Sequence, residues 1–146
     1  MASKRNPAGV FLISPFTTFA SVGNHDEEEK NILINYFRSI DYVDKINSPL
    51  LFIHGKCDYL VNYEESIKLY EKCNKNIKKE IILKEKMGHN FLYDFLEDEI
   101  IPCISDFAEK FCFRKNKKEN DNIIDLDKKF FMSNEEFNKI LKYFKQ

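Results

Sequence analysis

Pro49-Leu50-Leu51-Phe52-Ile53-His54-Gly55-Lys56-Cys57-Asp58 is the stretch that decides the fold. Its apolar core runs without alternation, which marks a strand covered on both faces and therefore a parallel sheet flanked by helices. Gly55 permits a sharp turn, and Asp58 comes just past it. The same pattern returns at Glu80-Ile81-Ile82-Leu83, followed by Met87-Gly88-His89-Asn90, and an earlier apolar run, Ala8-Gly9-Val10-Phe11-Leu12-Ile13, is stopped by Ser14-Pro15. Strands are expected over 8–13, 49–54 and 80–83.

The intervening segments read as helices. From Asp26 the acids Glu27-Glu28-Glu29 suit the positive first turn of a helix, and Ile32, Leu33, Tyr36 and Phe37 follow at helical spacing. A second helix is expected over 64–73. A third follows His89, with Ile100, Ile101, Ile104, Phe107, Ala108 and Phe111 recurring at three and four and Pro102 marking its first turn or a kink. Strands alternating with helices predict an α/β fold of three parallel strands. In such folds ligands gather at the carboxyl ends of the strands, where Asp58 and His89 both lie.

At 146 residues, 43% hydrophobic and 14% aromatic, the chain suffices for one domain with a buried core. The 23 basic and 24 acidic residues are interleaved and nearly cancel, which argues against nucleic acid as a partner. Cys57, Cys73, Cys103 and Cys112 show no CxxC spacing, and no signal-peptide pattern opens the sequence, so a reduced, cytoplasmic setting is expected. No apolar run reaches the roughly 18 residues of a membrane-spanning helix. His54, Cys57, Asp58 and His89 lack the short paired spacing of zinc ligands, and neither a metal nor a cofactor is expected. The domain is expected over 1–113, a polar linker over 114–132, and a C-terminal amphipathic helix over 133–146. That last helix carries a capping box at Ser133-Asn134-Glu135-Glu136 and an apolar face of Phe137, Ile140, Leu141 and Phe144.

The segments Ile13-Ser14-Pro15-Phe16-Thr17, Ser48 to Asp58, Leu69-Tyr70-Glu71-Lys72-Cys73 and Gly88-His89-Asn90 resemble the carboxyl-terminal half of an α/β-hydrolase. The similarity is to serine hydrolases grouped with the protein depalmitoylases and the serine aminopeptidase-like esterases. It implies a partial α/β-hydrolase fold, with Asp58 as the triad acid and His89 as the triad base. Acid before histidine is the order of that fold, and the nucleophile precedes both. No G-x-S-x-G occurs around Gly9, Gly23, Gly55 or Gly88, so the chain has no nucleophile of its own. The resemblance places the elbow and the oxyanion-hole loop upstream, with 2–5 as the end of an intervening helix. A fragment, inactive alone and needing its missing N-terminal half, is the expectation. Its substrate would be a carboxylic ester or thioester.

Other readings compete. The first strand would expose an apolar edge where the elbow-bearing strand belongs, so poor solubility is expected. Phe16 and Phe19, with Tyr36 and Phe37, fit an acyl pocket or a core. His54 reads as a strand-end residue bonded to nearby backbone, Cys57 as a buried small side chain, Ser14 and Ser21 as turn residues, and His25 as part of a helix start. The tail helix is expected to dock on its own domain, its two flanking lysines being too few for a membrane face. A non-catalytic relic or interaction subunit, or a small binding module, are the alternatives to an enzyme.

Overall fold

A computed structural model of the chain describes residues 2–90 and 95–112. The linker and tail helix expected over 114–146 lie outside the described residues. Strands β1 (Val10–Ile13), β2 (Leu50–Gly55) and β3 (Lys79–Lys84) form one parallel sheet in that order. Val10 pairs with Leu50, and Leu50 with Lys79.

Burial explains the uninterrupted apolar run of β2, every residue of which is buried. Alternate side chains of a strand point to opposite faces. Leu50 and Phe52 pack with Val43, Ile46, Leu69 and Cys73 on one face; Leu51 and Ile53 pack with Met87, Ile100 and Phe107 on the other. Helix α2 (Glu64–Lys72) covers the first face through Leu69, and α3 (Ile101–Phe111) covers the second through Phe107. Pro102 stands in the first turn of α3. A wider π turn, Leu96–Ile100, precedes it, and the Ile101 N–H reaches back to the Leu96 carbonyl. Proline has no N–H with which to continue the ordinary ladder at the next position.

The first helix, α1 (Glu27–Leu33), is shorter than its apolar spacing predicts. Its start is well specified: Asp26 accepts from the Glu29 N–H while the Glu29 carboxylate accepts from the Asp26 N–H, and His25 lies 3.4 Å from Glu29. No residue of α1 is buried, however, and Ile32, Tyr36 and Phe37 stay exposed. Helices in proteins persist mainly through an apolar face packed on a core. This one has no such face, and Phe37 turns into the left-handed region at φ 47°. The residues expected to end an upstream helix form a single 3₁₀ turn, Ala2–Lys4. No helix among the described residues is long and apolar enough to cross a membrane.

Candidate active site

Two loops meet at the carboxyl ends of β2 and β3. Gly55 makes the meeting possible: a Cβ there would stand 1.9 Å from the Met87 carbonyl oxygen, closer than any side chain tolerates. With only hydrogen on Gly55, the Cys57 N–H reaches the Met87 carbonyl at 3.1 Å and the Lys56 N–H reaches the Lys84 carbonyl at 2.8 Å. Lys56 pairs with Glu85 at 2.5 Å, and Asn90 donates to the Tyr59 hydroxyl at 2.9 Å. The two loops are thereby joined by backbone and side chains alike.

Asp58 uses its two carboxylate oxygens differently. Oδ1 accepts from the Leu60 and Val61 N–H groups at 3.0 and 2.9 Å, a local turn of the kind Asp commonly makes. Oδ2 lies 2.9 Å from His89 Nδ1. The local turn and the pairing with His89 therefore coexist, one oxygen serving each. The Asp58 side chain is fully buried, whereas His89 keeps 30% of its side chain exposed. Burial by itself would raise the Asp58 pKa. The Val61 N–H, His89 and the Leu60 N–H outweigh it, and the group sits below its ordinary value as a carboxylate. A carboxylate cannot donate, so His89 carries a proton on Nδ1, and it is Nε2 that is directed away from Asp58.

His54 bonds to nearby backbone, with Nε2 2.9 Å from the Val61 carbonyl, but it does more than that. Nδ1 lies 2.6 Å from Ser66 Oγ, and Nε2 is also 3.4 Å from Asp58 Oδ2. Burial pushes its pKa down, so the ring is neutral.

The loop after β1 is tied to this corner. Val22 bridges to Val61, and the Gly23 N–H reaches the Leu60 carbonyl. Glu65 of α2, buried at 4% exposure, accepts from the Thr17 N–H at 3.2 Å, from the Thr17 hydroxyl, and from Lys68 at 2.6 Å. Burial opposes its charge, but Lys68 and Thr17 overcome that effect and lower its pKa. Thr17, Glu65 and Ser66 escaped the sequence reading. The available signal was helical spacing, since Glu65 and Ser66 fall four and three residues before Leu69 on the face of α2 that turns inward.

Phe16 lines a cavity of about 400 Å³ together with Val10, Leu12, Phe37 and Leu69. Phe19 and Tyr36 are not among its walls; Phe19 instead packs against Phe16 and Phe37, with ring centroids 6.3 and 5.7 Å away. Ser21 donates to the Thr18 carbonyl and Ser14 turns at φ 46°, both as turn residues. Cys57 differs from expectation. It is exposed, because the Gly55 turn carries its side chain outward, with Sγ 3.1 Å from the Glu85 carbonyl.

Residues 10–111 match the family model described as the prolyl oligopeptidase family. The chain is 33% identical over 90 residues to alpha/beta hydrolase domain-containing protein 17B of Homo sapiens, covering 62% of this chain and 30% of that protein. It is likewise 33% identical over 90 residues to protein 17C of Mus musculus, covering 27% of it. The chain thus spans less than a third of the length of these relatives. Among solved structures, an acylaminoacyl peptidase of Pyrococcus horikoshii superposes with a TM-score of 0.62 at 14% identity, over 84% of this chain and 23% of that one. An esterase of Pyrococcus furiosus gives 0.54 at 20% identity, over 72% and 45%. Both share the fold. The match over residues 10–111 shows the family, and the parallel sheet fits it: the chain belongs to the prolyl oligopeptidase family, within the α/β-hydrolase superfamily of serine hydrolases.

Proposed function

We propose that this chain supplies the acid and the base of a serine-hydrolase triad acting on carboxylic esters or thioesters, with the nucleophile contributed by a segment upstream. The 2.9 Å contact between Asp58 Oδ2 and His89 Nδ1 is the observation that carries the reading. As the serine attacks the substrate carbonyl, His89 Nε2 takes the hydroxyl proton. It returns that proton to the departing alcohol or thiol, leaving an acyl-enzyme. A water then repeats the cycle through the same nitrogen, releasing the acid and restoring the serine. Asp58 holds the Nδ1–H tautomer and stabilises the imidazolium without itself becoming protonated.

The nucleophile-bearing strand belongs along β1. Lacking that strand and its oxyanion donors, residues 1–146 alone are inert and act as a fragment of a cytoplasmic enzyme. Phe16 contributes to the acyl pocket, and Phe19 buttresses it. The coding sequence upstream supplies the first test: an in-frame G-x-S-x-G roughly 20 to 30 codons before Ala8 is expected. A fluorophosphonate probe should label the product that contains it and leave residues 1–146 unlabelled. Labelling and ester hydrolysis by residues 1–146 alone would contradict the proposal.

The apolar edge of β1 and the cavity beside it favour a second reading, in which the chain is a non-catalytic interaction subunit that pairs with a separate half. Absence of the upstream elbow, with stable binding to a separately encoded partner, would select it.

A further inference from the structure

Four polar side chains, joined through the backbone of Val61, form a path from α2 to His89, and the proposed chemistry uses only its last two. The path begins at Ser66, which is fully buried on the inward face of α2. Its hydroxyl lies 2.6 Å from Nδ1 of His54, itself completely buried at the end of β2. On the other side of the ring, Nε2 is 2.9 Å from the Val61 carbonyl. The same residue, Val61, donates its N–H to Asp58 Oδ1 at 2.9 Å. Asp58 Oδ2 then meets His89 Nδ1.

The proton positions along this path follow from what each atom is able to do. A carbonyl only accepts, so His54 Nε2 carries hydrogen. In a neutral ring Nδ1 is then an acceptor, and the Ser66 hydroxyl donates to it. The Nε2–H also faces Asp58 Oδ2 at 3.4 Å, so its positive end lies toward the carboxylate. The depressed pKa that burial gives His54 keeps the ring in this neutral form. The charged or titratable groups near it are Asp58, which raises its proton affinity, and His89, which lowers it. A neutral imidazole with a fixed tautomer supports the acid without competing with His89 for its charge.

We propose that the buried Ser66–His54 pair is the positioning device of the Asp58–His89 dyad. It grips the Val61 carbonyl, and through that residue, whose N–H bonds Asp58 Oδ1, it holds the Asp58 carboxylate in line with His89 Nδ1. His54 touches neither substrate nor reacting atoms. It is a positioning residue that ties the acid-bearing loop to α2. The inference rests on the acid–base reading of Asp58 and His89, but it is testable without the nucleophile.

The test is the exchange with solvent of the proton on His89 Nδ1, followed by nitrogen-15 NMR on the full chain. In the wild type this proton is held by Asp58. In His54→Leu its exchange should be roughly 10-fold faster, the scale of weakening one buried hydrogen bond. His54→Gln, whose amide places an N–H near the Nε2 position, should restore most of the protection. Ser66→Ala deletes only a hydroxyl and leaves His54 Nδ1 without its donor; it should fold like the wild type and show the same acceleration to a smaller degree. Unchanged protection in a folded Ser66→Ala protein, or in His54→Leu, overturns the proposal and leaves the pair as packing. Asp58→Asn is the control for the underlying reading. It should abolish the protection whatever stands at position 54; if it does not, the dyad itself is wrong.

Discussion

The two margins of the sheet are built to opposite standards. At β3 the edge is guarded: Lys79 and Lys84 stand at its ends, Lys79 donates to the Tyr70 carbonyl at 2.7 Å and lies over the Tyr70 ring, and Lys84 pairs with Glu99 at 2.7 Å. At β1 the edge strand is Val-Phe-Leu-Ile without a charge, and Phe11 is 38% exposed. The Val10 and Ser14 N–H groups bond toward β2, so in a parallel ladder the Phe11 and Ile13 backbone groups face away from it. Lysines at an edge discourage pairing with another strand, and an apolar uncharged edge invites it. One margin is finished with charge and the other is bare and apolar, and Asp58 and His89 follow β2 and β3, toward the finished side.

The largest effect is expected at that finished side. In a polypeptide that carries the nucleophile, Asp58→Asn or His89→Ala should lower turnover by about 10⁴-fold or more, measured by ester hydrolysis and probe labelling. A loss under tenfold would show that the corner is structural. Next comes the strand between the margins. Phe52→Ala, at a fully buried position, should cost about 3 to 5 kcal/mol in denaturant unfolding. Phe11→Ala should cost clearly less, because only part of that ring is covered, through its edge-to-face contact with Phe107 at 6.0 Å. Equal costs would mean that β1 is not an open edge. Gly55→Ala should destabilise by about 1 to 3 kcal/mol as the Met87 backbone is pushed away.

Smaller effects sharpen the contrast further. Phe11→Lys should reduce self-association in sedimentation velocity at about the cost in unfolding of Phe11→Ala, and a matching change on the lysine-guarded β3 margin should leave association unchanged. On acidification, Asp58 and Glu65 act in one direction. Their folded-state pKa values lie below the ordinary 3.8 and 4.5, so their contribution is fully present above those values and is lost as the pH falls through the lower folded ones. Asp58→Asn should therefore lose less stability than the wild type over that acid range.

Much of this was legible in the sequence, for a physical reason. A strand covered on both faces must be apolar throughout, so the β2 run and the turn after it declare themselves. The glycine beside Met87 and the polar residues past each strand then place Asp58 and His89 on one rim. What escaped were groups whose role depends on a distant partner. Glu65 and Ser66 look like ordinary polar positions of a helix until the fold turns them inward to Thr17 and His54. The helix expected to reach Phe37 stops at Leu33 because periodicity records a possible face and not the presence of something to bury it. Cys57 was misjudged because the Gly55 turn, rather than side-chain type, sets its exposure.

The tautomer of His89 tests the central claim most directly. Nitrogen-15 spectra of the full chain, recorded where the ring is neutral, should show Nδ1 protonated and Nε2 bare, as an imidazole held by the Asp58 carboxylate requires. A ring protonated on Nε2, or a mixture of the two forms unaffected by Asp58→Asn, would contradict the account.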